Sequence, residues 1–260
     1  MRILFIGDIF GHPGRRIVKE MLPLLRDEFH FDVVVANAEN AAGGFGITPP
    51  LVEELLDLDI AVLTSGNHIW DKKEIYPYLR DQVNSRLLRP ANYPPETPGS
   101  GLFVGKTLAG TGYAVISLQG RVFMPTIDCP FRKADSLLAS IPPEVKIRIV
   151  DFHAEATSEK QAMGWFLDGR VTGVLGTHTH VPTADETILP QGTAYITDLG
   201  MTGPYESIIG MDRHTVVQKF LDQLPARFEV ATGDVRLAAV VLDADPQSGR
   251  VVSIQRISRK

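Results

Sequence analysis

Short, wholly apolar runs alternate with stretches of helical periodicity over the first 65 positions. Ile3-Leu4-Phe5-Ile6 and Val33-Val34-Val35-Ala36 are apolar at every position, and Ala61-Val62-Leu63-Thr64 nearly so. Runs of this kind read as strands covered on both faces, the habit of a parallel sheet packed between other layers. Between the first two, Ile17, Val18, Met21, Leu22, Leu25 and Phe29 recur at helical spacing. Pro23 lies inside that pattern and is expected to kink the helix or shift its start, because its ring removes one backbone donor. Before the third run, Pro49 and Pro50 open a helix carrying Leu51, Val52, Leu55 and Leu56. The β-α-β-α-β order predicts a parallel sheet with right-handed crossovers.

The pattern changes after a stretch rich in proline and glycine, from about Asn92 to Ser100. Phe103-Val104, Tyr113 to Ile116 and Val145 to Val150 are separated by turn-forming segments, which suggests antiparallel or mixed pairing. Ser158 to Leu167 reads as a helix, and Val171 to Leu175 and Ala194 to Thr197 as further strands. Val235 to Ile257 reads as a hairpin turning at Asp245-Pro246-Gln247-Ser248-Gly249. The whole predicts an α/β fold of two packed sheets with helices outside, in one continuous domain spanning residues 1–260.

Polar residues interrupt this pattern where strands end. The first strand runs into Gly7-Asp8, the second into Asn37-Ala38-Glu39-Asn40 and the third into Ser65-Gly66-Asn67-His68. Two later ones run into Asp151-Phe152-His153 and Gly176-Thr177-His178-Thr179-His180. Ligands of open α/β sheets bind beyond the carboxyl ends of strands. Singly, Asp8 reads as a turn or cap, Glu39-Asn40 as loop polarity and Asn67-His68 as a turn. His178 and His180 are different: alternation in an extended segment points both imidazoles to one face, a costly pairing unless they share a metal. Five such ends in one chain point to a common site. His12, His30 and His214 lack this setting and read as surface or structural.

Carboxylate, amide and imidazole ligands without a thiolate suit manganese, iron or zinc rather than calcium. They are too many for one ion, and two ions sharing a carboxylate form the usual hydrolytic pair for phosphate esters. Composition restricts the setting. Hydrophobic residues make up 44% and charged residues 22%, so an ordinary globular core is expected. The single cysteine, Cys129, cannot form an internal disulfide, and a reducing, cytoplasmic location is expected. The apolar run at Ile3–Ile6 is too short for a signal peptide, and no stretch is long enough for a membrane helix. The net charge of −5, with no basic stripe, argues against duplex nucleic acid as a partner.

The motifs together resemble the calcineurin-like metallophosphoesterases, and within them the YmdB-type branch of bacterial 2′,3′-cyclic-nucleotide phosphodiesterases. The segments that carry this are Gly7-Asp8-Ile9-Phe10-Gly11, Asn37-Ala38-Glu39-Asn40-Ala41, Thr64-Ser65-Gly66-Asn67-His68-Ile69-Trp70, Gly176 to His180, and Asp198 to Pro204. The resemblance implies a four-layer α-β-β-α sandwich of two mixed sheets flanked by helices. It implies that Asp8 and His180 hold a first metal, that Asn67, His153 and His178 hold a second, and that Glu39 bridges them. His68 is then the general acid. The broad family has a histidine where this chain has Phe10, and Asn40 is expected to replace that ligand. Two divalent or mixed-valence ions are implied, iron first, with manganese or zinc as alternatives. A small phosphodiester is the implied substrate, and relatives are often homo-oligomers. Ala42 to Gly46 reads either as a backbone approach to substrate or as a flexible connection, Met201 to Pro204 as a rim over the site, and Arg15, Arg16, Lys72 and Lys73 as solvated helix faces.

Three other readings compete. A nucleotide-cofactor enzyme would use Gly7, Gly11 and Gly14, but their spacing is not that of a dinucleotide-binding turn, and Asp8 would repel a pyrophosphate. A non-catalytic, metal-bound regulatory or RNA-interacting protein of the same fold would not need His68. An amidohydrolase would carry its paired histidines on the first strand, not at 178 and 180.

Overall fold

A computed structural model describes residues 1–81 and 85–260. The first half contains strands β1 (Arg2–Ile6), β2 (Asp8–Ile9), β3 (Val33–Asn37) and β4 (Val62–Thr64), with helices α1 (Gly11–Phe29), α2 (Pro49–Leu56) and α3 (Ile75–Asp81). A single turn of 3-10 helix covers Asn67–Trp70. Then come β5 (Leu102–Lys106), β6 (Gly112–Gln119), α4 (Pro130–Ser140), β7 (Ile147–His153), α5 (Thr157–Leu167) and β8 (Gly173–Thr177). The last part holds β9 (Thr187–Ile188), β10 (Ala194–Ile196), β11 (Met201–Pro204), α6 (Arg213–Asp222), β12 (Val235–Ala244) and β13 (Val251–Arg259).

Two mixed sheets result. One has the order β2-β11-β12-β1-β3-β4, with β13 also paired to β12; the other runs β5-β6-β7-β8-β10-β9. β1, β3 and β4 are parallel, as the apolar runs predict, and so are β6, β7, β8 and β10. The expected hairpin is β12 and β13. The two-residue period of β1 divides its side chains between layers. Ile3 and Phe5 enter the core between the sheets with Val35, Val115, Ile149 and Leu242. Leu4 and Ile6 face the helix layer with Val18, Leu22 and Leu55. On the far side, Ala134 and Leu138 of α4 and Met163 and Leu167 of α5 cover Ile116 and Val150. Four α-β-β-α layers follow directly.

Several expectations need correction. α1 spans Gly11–Phe29 with Pro23 inside it, so the proline does not shift the helix start. Pro23 and Lys19 are both exposed, so the carbonyl that loses its partner can be hydrated. Met201 to Pro204 is no rim: it is the buried strand β11, paired with β2 and β12. Arg15 is not a solvated side chain. It is largely buried, pairs with Glu54 and donates to the Ala41 carbonyl beside the strand-end cluster. Among the described residues no helix is long and apolar enough to cross a membrane.

Candidate metal centre

Because β1, β3 and β4 are parallel, their carboxyl ends leave one edge of the first sheet together, and β7 and β8 do the same in the second. Asp151 of β7 joins the two edges. It is fully buried and accepts from Asn37 Nδ2 at 2.9 Å, from Thr177 Oγ1 at 2.7 Å and from the Thr64 hydroxyl. All eight residues expected at the site therefore meet: Asp8, Glu39, Asn40, Asn67, His68, His153, His178 and His180.

They form two groups around Glu39. In one, three atoms from different elements crowd a single nitrogen, His153 Nε2. Glu39 Oε1 lies 3.0 Å away, His178 Nδ1 3.0 Å and Asn67 Oδ1 3.1 Å. One N–H serves one acceptor well, whereas a cation among these atoms would satisfy them all. Glu39, His153 and His178 form a cluster able to hold a metal ion, with ligand atoms within 4.8 Å of one another. In the other group Asn40 Nδ2 lies 3.2 Å from His180 Nε2 and donates to Glu39 Oε1 at 3.4 Å. Asp8 accepts from the backbone N–H of His178 through Oδ2 at 3.3 Å. Asp8 Oδ1 and Asn40 Oδ1 are buried without a hydrogen-bond partner. Orphaned oxygens of this kind are costly unless something positive faces them.

Electrostatics give the same account. Burial would raise the Glu39 carboxyl, but the His153 imidazolium outweighs it and brings Glu39 down to about 2. Burial would likewise suppress the His153 proton, but Glu39 and Asp8 hold it, raising His153 to about 9. Asp8 is pushed up to about 6 by burial. His178 falls to about 3, through burial and the neighbouring His153 charge. Two acids and two imidazoles thus share too little positive charge, the condition a bound cation relieves.

The supporting residues carry no comparable mark in the sequence. Asp71 accepts from His68 Nδ1 at 2.7 Å, and the His68 backbone N–H donates to Glu39 Oε2 at 3.1 Å. The three-residue spacing of His68 and Asp71 across one turn is the available signal. Glu155 reaches His178 Nε2 at 3.1 Å. The buried pair Lys160–Asp198, at 2.7 Å, anchors the segment between the two histidines, since Asp198 also accepts from Thr179 N–H and Oγ1. The extended geometry expected for His178 to His180 is not found. The segment is bent, with φ of +100° at His178 and +66° at His180, so the imidazoles enter different groups. Such left-handed backbone in side-chain-bearing residues is strained, and it gathers at functional sites. His180 Nδ1 is held by the Ile209 carbonyl at 2.9 Å. Phe10, at the position of the broad family's histidine, packs edge-on against His180. Gly66 is required by close approach: a Cβ there would lie 2.0 Å from His153 Cδ2.

A cavity of about 330 Å3 opens over these groups, lined by Glu39, Asn40, His68, His178 and His180, with Phe45, Ile209 and Met211 at its apolar side. Gly44 also lines it, so the glycine-rich segment forms part of the cavity wall.

Comparison with known proteins agrees with this fold. The chain is 52% identical to the 2′,3′-cyclic-nucleotide 2′-phosphodiesterase of Bacillus subtilis (strain 168) over 257 residues, covering 99% of this chain and 96% of the relative. A crystal structure of a hypothetical protein from Thermus thermophilus superposes with a TM-score of 0.92 at 44% identity, covering 100% of this chain and 99% of that one. The crystal structure of a novel phosphatase from Mycoplasma pneumoniae gives a TM-score of 0.91 at 34% identity, covering 100% and 93%. The family model described as YmdB-like protein matches residues 4–257, and this chain is a member of the YmdB-like family.

Proposed function

We propose that the chain is a dinuclear-metal phosphodiesterase acting on small phosphodiesters, with 2′,3′-cyclic nucleotides as the principal substrates. The observation that carries this reading is the crowding of Glu39, Asn67 and His178 on one nitrogen of His153, beside the orphaned oxygens of Asp8 and Asn40. Asn67, His153 and His178 would hold one ion; Asp8, His180 and Asn40 the other; and Glu39, in contact with both groups, would be shared. The ligand types favour iron, manganese or zinc. When bound, such a pair supplies Lewis acidity, activating water and neutralising charge on the phosphoryl oxygens.

The remaining chemistry belongs to side chains. Asp71 takes the Nδ1 proton of His68 in a hydrogen bond and fixes the ring, leaving Nε2 to give a proton to the departing oxygen. The Glu39 carboxylate accepts from the His68 backbone, so the carboxylate and the acid keep one spacing. Glu155 orients His178 through its far nitrogen, as carboxylates do for metal-ligating imidazoles. A site that only stored ions would have no use for an imidazole held ready by Asp71, which favours an enzyme over a binding module of the same fold.

The test is metal analysis of the purified protein with a panel of phosphodiesters and monoesters. About two ions per chain and diester turnover abolished by chelation are expected. His68→Ala is expected to retain the ions while losing roughly 100- to 10,000-fold in kcat. Wild-type turnover in His68→Ala would refute the acid assignment, and chelator-insensitive hydrolysis would refute the metals.

A further inference from the structure

A second cavity, of about 360 Å3, adjoins the reaction cavity and shares three lining residues with it: Phe45, Ile209 and Met211. Its other walls are mainly apolar, with Val216 and Phe220 of α6 and the Phe228 ring. α6 forms there because Asp212 caps it, accepting from the Thr215 N–H. The helix buries only Val216, and Phe220 stays 74% exposed. Ordinary small-molecule sites have volumes of roughly 300–1,000 Å3, apolar walls and a few polar groups at fixed points. Lys219 and Gln223 supply those groups, and the Lys219 ammonium is held over the Phe228 ring at 4.9 Å.

We infer that this cavity is the subsite for the nucleobase of the substrate, with Phe45 and Phe220 as its aromatic walls. The inference rests on the phosphodiesterase reading and adds to it the part of the substrate that is not cleaved. Three features select a planar aromatic occupant. The two cavities share Phe45, Ile209 and Met211 as lining residues, so one ligand spanning both would meet those three. Phe45 stands between them and meets His68 edge-on, with ring centres 5.1 Å apart. Any base has a π-face that stacks on such side chains, whatever the pattern of its polar edges. The occupant also touches Ile209, whose carbonyl holds His180, so base and phosphate would bind the same turn. A second copy of this chain seated on Phe45 and Ile209 would instead cover the mouth of the reaction cavity.

The test compares a 2′,3′-cyclic nucleotide with ribose 2,3-cyclic phosphate, which lacks the base. Wild-type protein is expected to favour the nucleotide in kcat/KM, and Phe220→Ala and Phe45→Ala to reduce that preference about tenfold, mainly through KM. Calorimetric binding of adenosine to chelator-treated protein is expected to weaken by a similar factor in both variants, while thermal unfolding shows that Phe220→Ala remains folded. Unchanged preference and unchanged adenosine binding would overturn the subsite. So would sedimentation showing a wild-type dimer that Phe220→Ala dissociates, because a second chain would then occupy the groove. Wild-type protein that hydrolysed neither ester would refute the phosphodiesterase reading, and adenosine binding would still decide the subsite by itself.

Discussion

His153 is the residue on which the site's charge balance turns. It is wholly buried, yet it keeps a proton up to about pH 9 because Glu39 and Asp8 face it. That proton supplies the positive charge that a metal ion would bring under the proposed function. A raised imidazole pKa contributes stability that is complete below the unfolded value of 6.5 and disappears as pH rises through the folded value of about 9. Chelator-treated protein should therefore lose melting temperature between pH 6.5 and 9. The metal-loaded protein should lose much less over the same range, since its imidazoles are already deprotonated. Equal pH dependence in the two forms, measured by calorimetry, would remove the proposed exchange of proton for cation. Asp8, pushed up to about 6, acts in the same direction at lower pH.

Elements explain why the candidate ligands are legible in the sequence and their supports are not. β1, β3 and β4 are buried on both faces, so they appear as unbroken apolar runs whose ends are plain, and the polar residue after each is a ligand candidate. α6 carries Val216, Val217, Phe220 and Leu221 at helical spacing but buries only Val216, so its apolar stripe does not mark a core-facing helix. The bend at His178 to His180 is imposed by partners far along the chain, Asp198 and the Ile209 carbonyl, which no local pattern specifies. Met201 to Pro204 resembles a turn for a related reason: Gly203 and Pro204 are turn-formers, but pairing with β2 and β12 overrides them. Glu155 and Asp71 are ordinary exposed acids by composition and acquire meaning only from an imidazole beside them. The turn after β4 offers a test at this scale. Gly66→Ala places a methyl group against the His153 ring and should displace it, reducing metal affinity roughly 10- to 100-fold, as metal analysis and titration would detect. Metal content equal to wild type in that variant would mean that His153 can move without consequence.

At the scale of the whole molecule, the two sheets meet over a shared apolar core and the site lies where their carboxyl edges are tied by Asp151. Neither half contains all the candidate ligands: Asp8, Glu39 and Asn67 come from one sheet, His153 and His178 from the other. The first sheet also depends on a late strand. β12 lies between β11 and β1, pairing antiparallel with β1 from Arg2↔Asp243 to Ile6↔Ala239. Removing residues 235–260 should abolish cooperative unfolding and leave an aggregating chain, because β1 would present an open, apolar edge. A soluble fragment with a sharp thermal transition would contradict this. The same pairing sets a condition on biosynthesis. At about 5–20 residues per second, β1 waits roughly 10–50 s on the ribosome before its partner is translated. Throughout that interval the nascent chain displays Ile3 to Ile6 unpaired on one side, which makes it a natural client for holding chaperones.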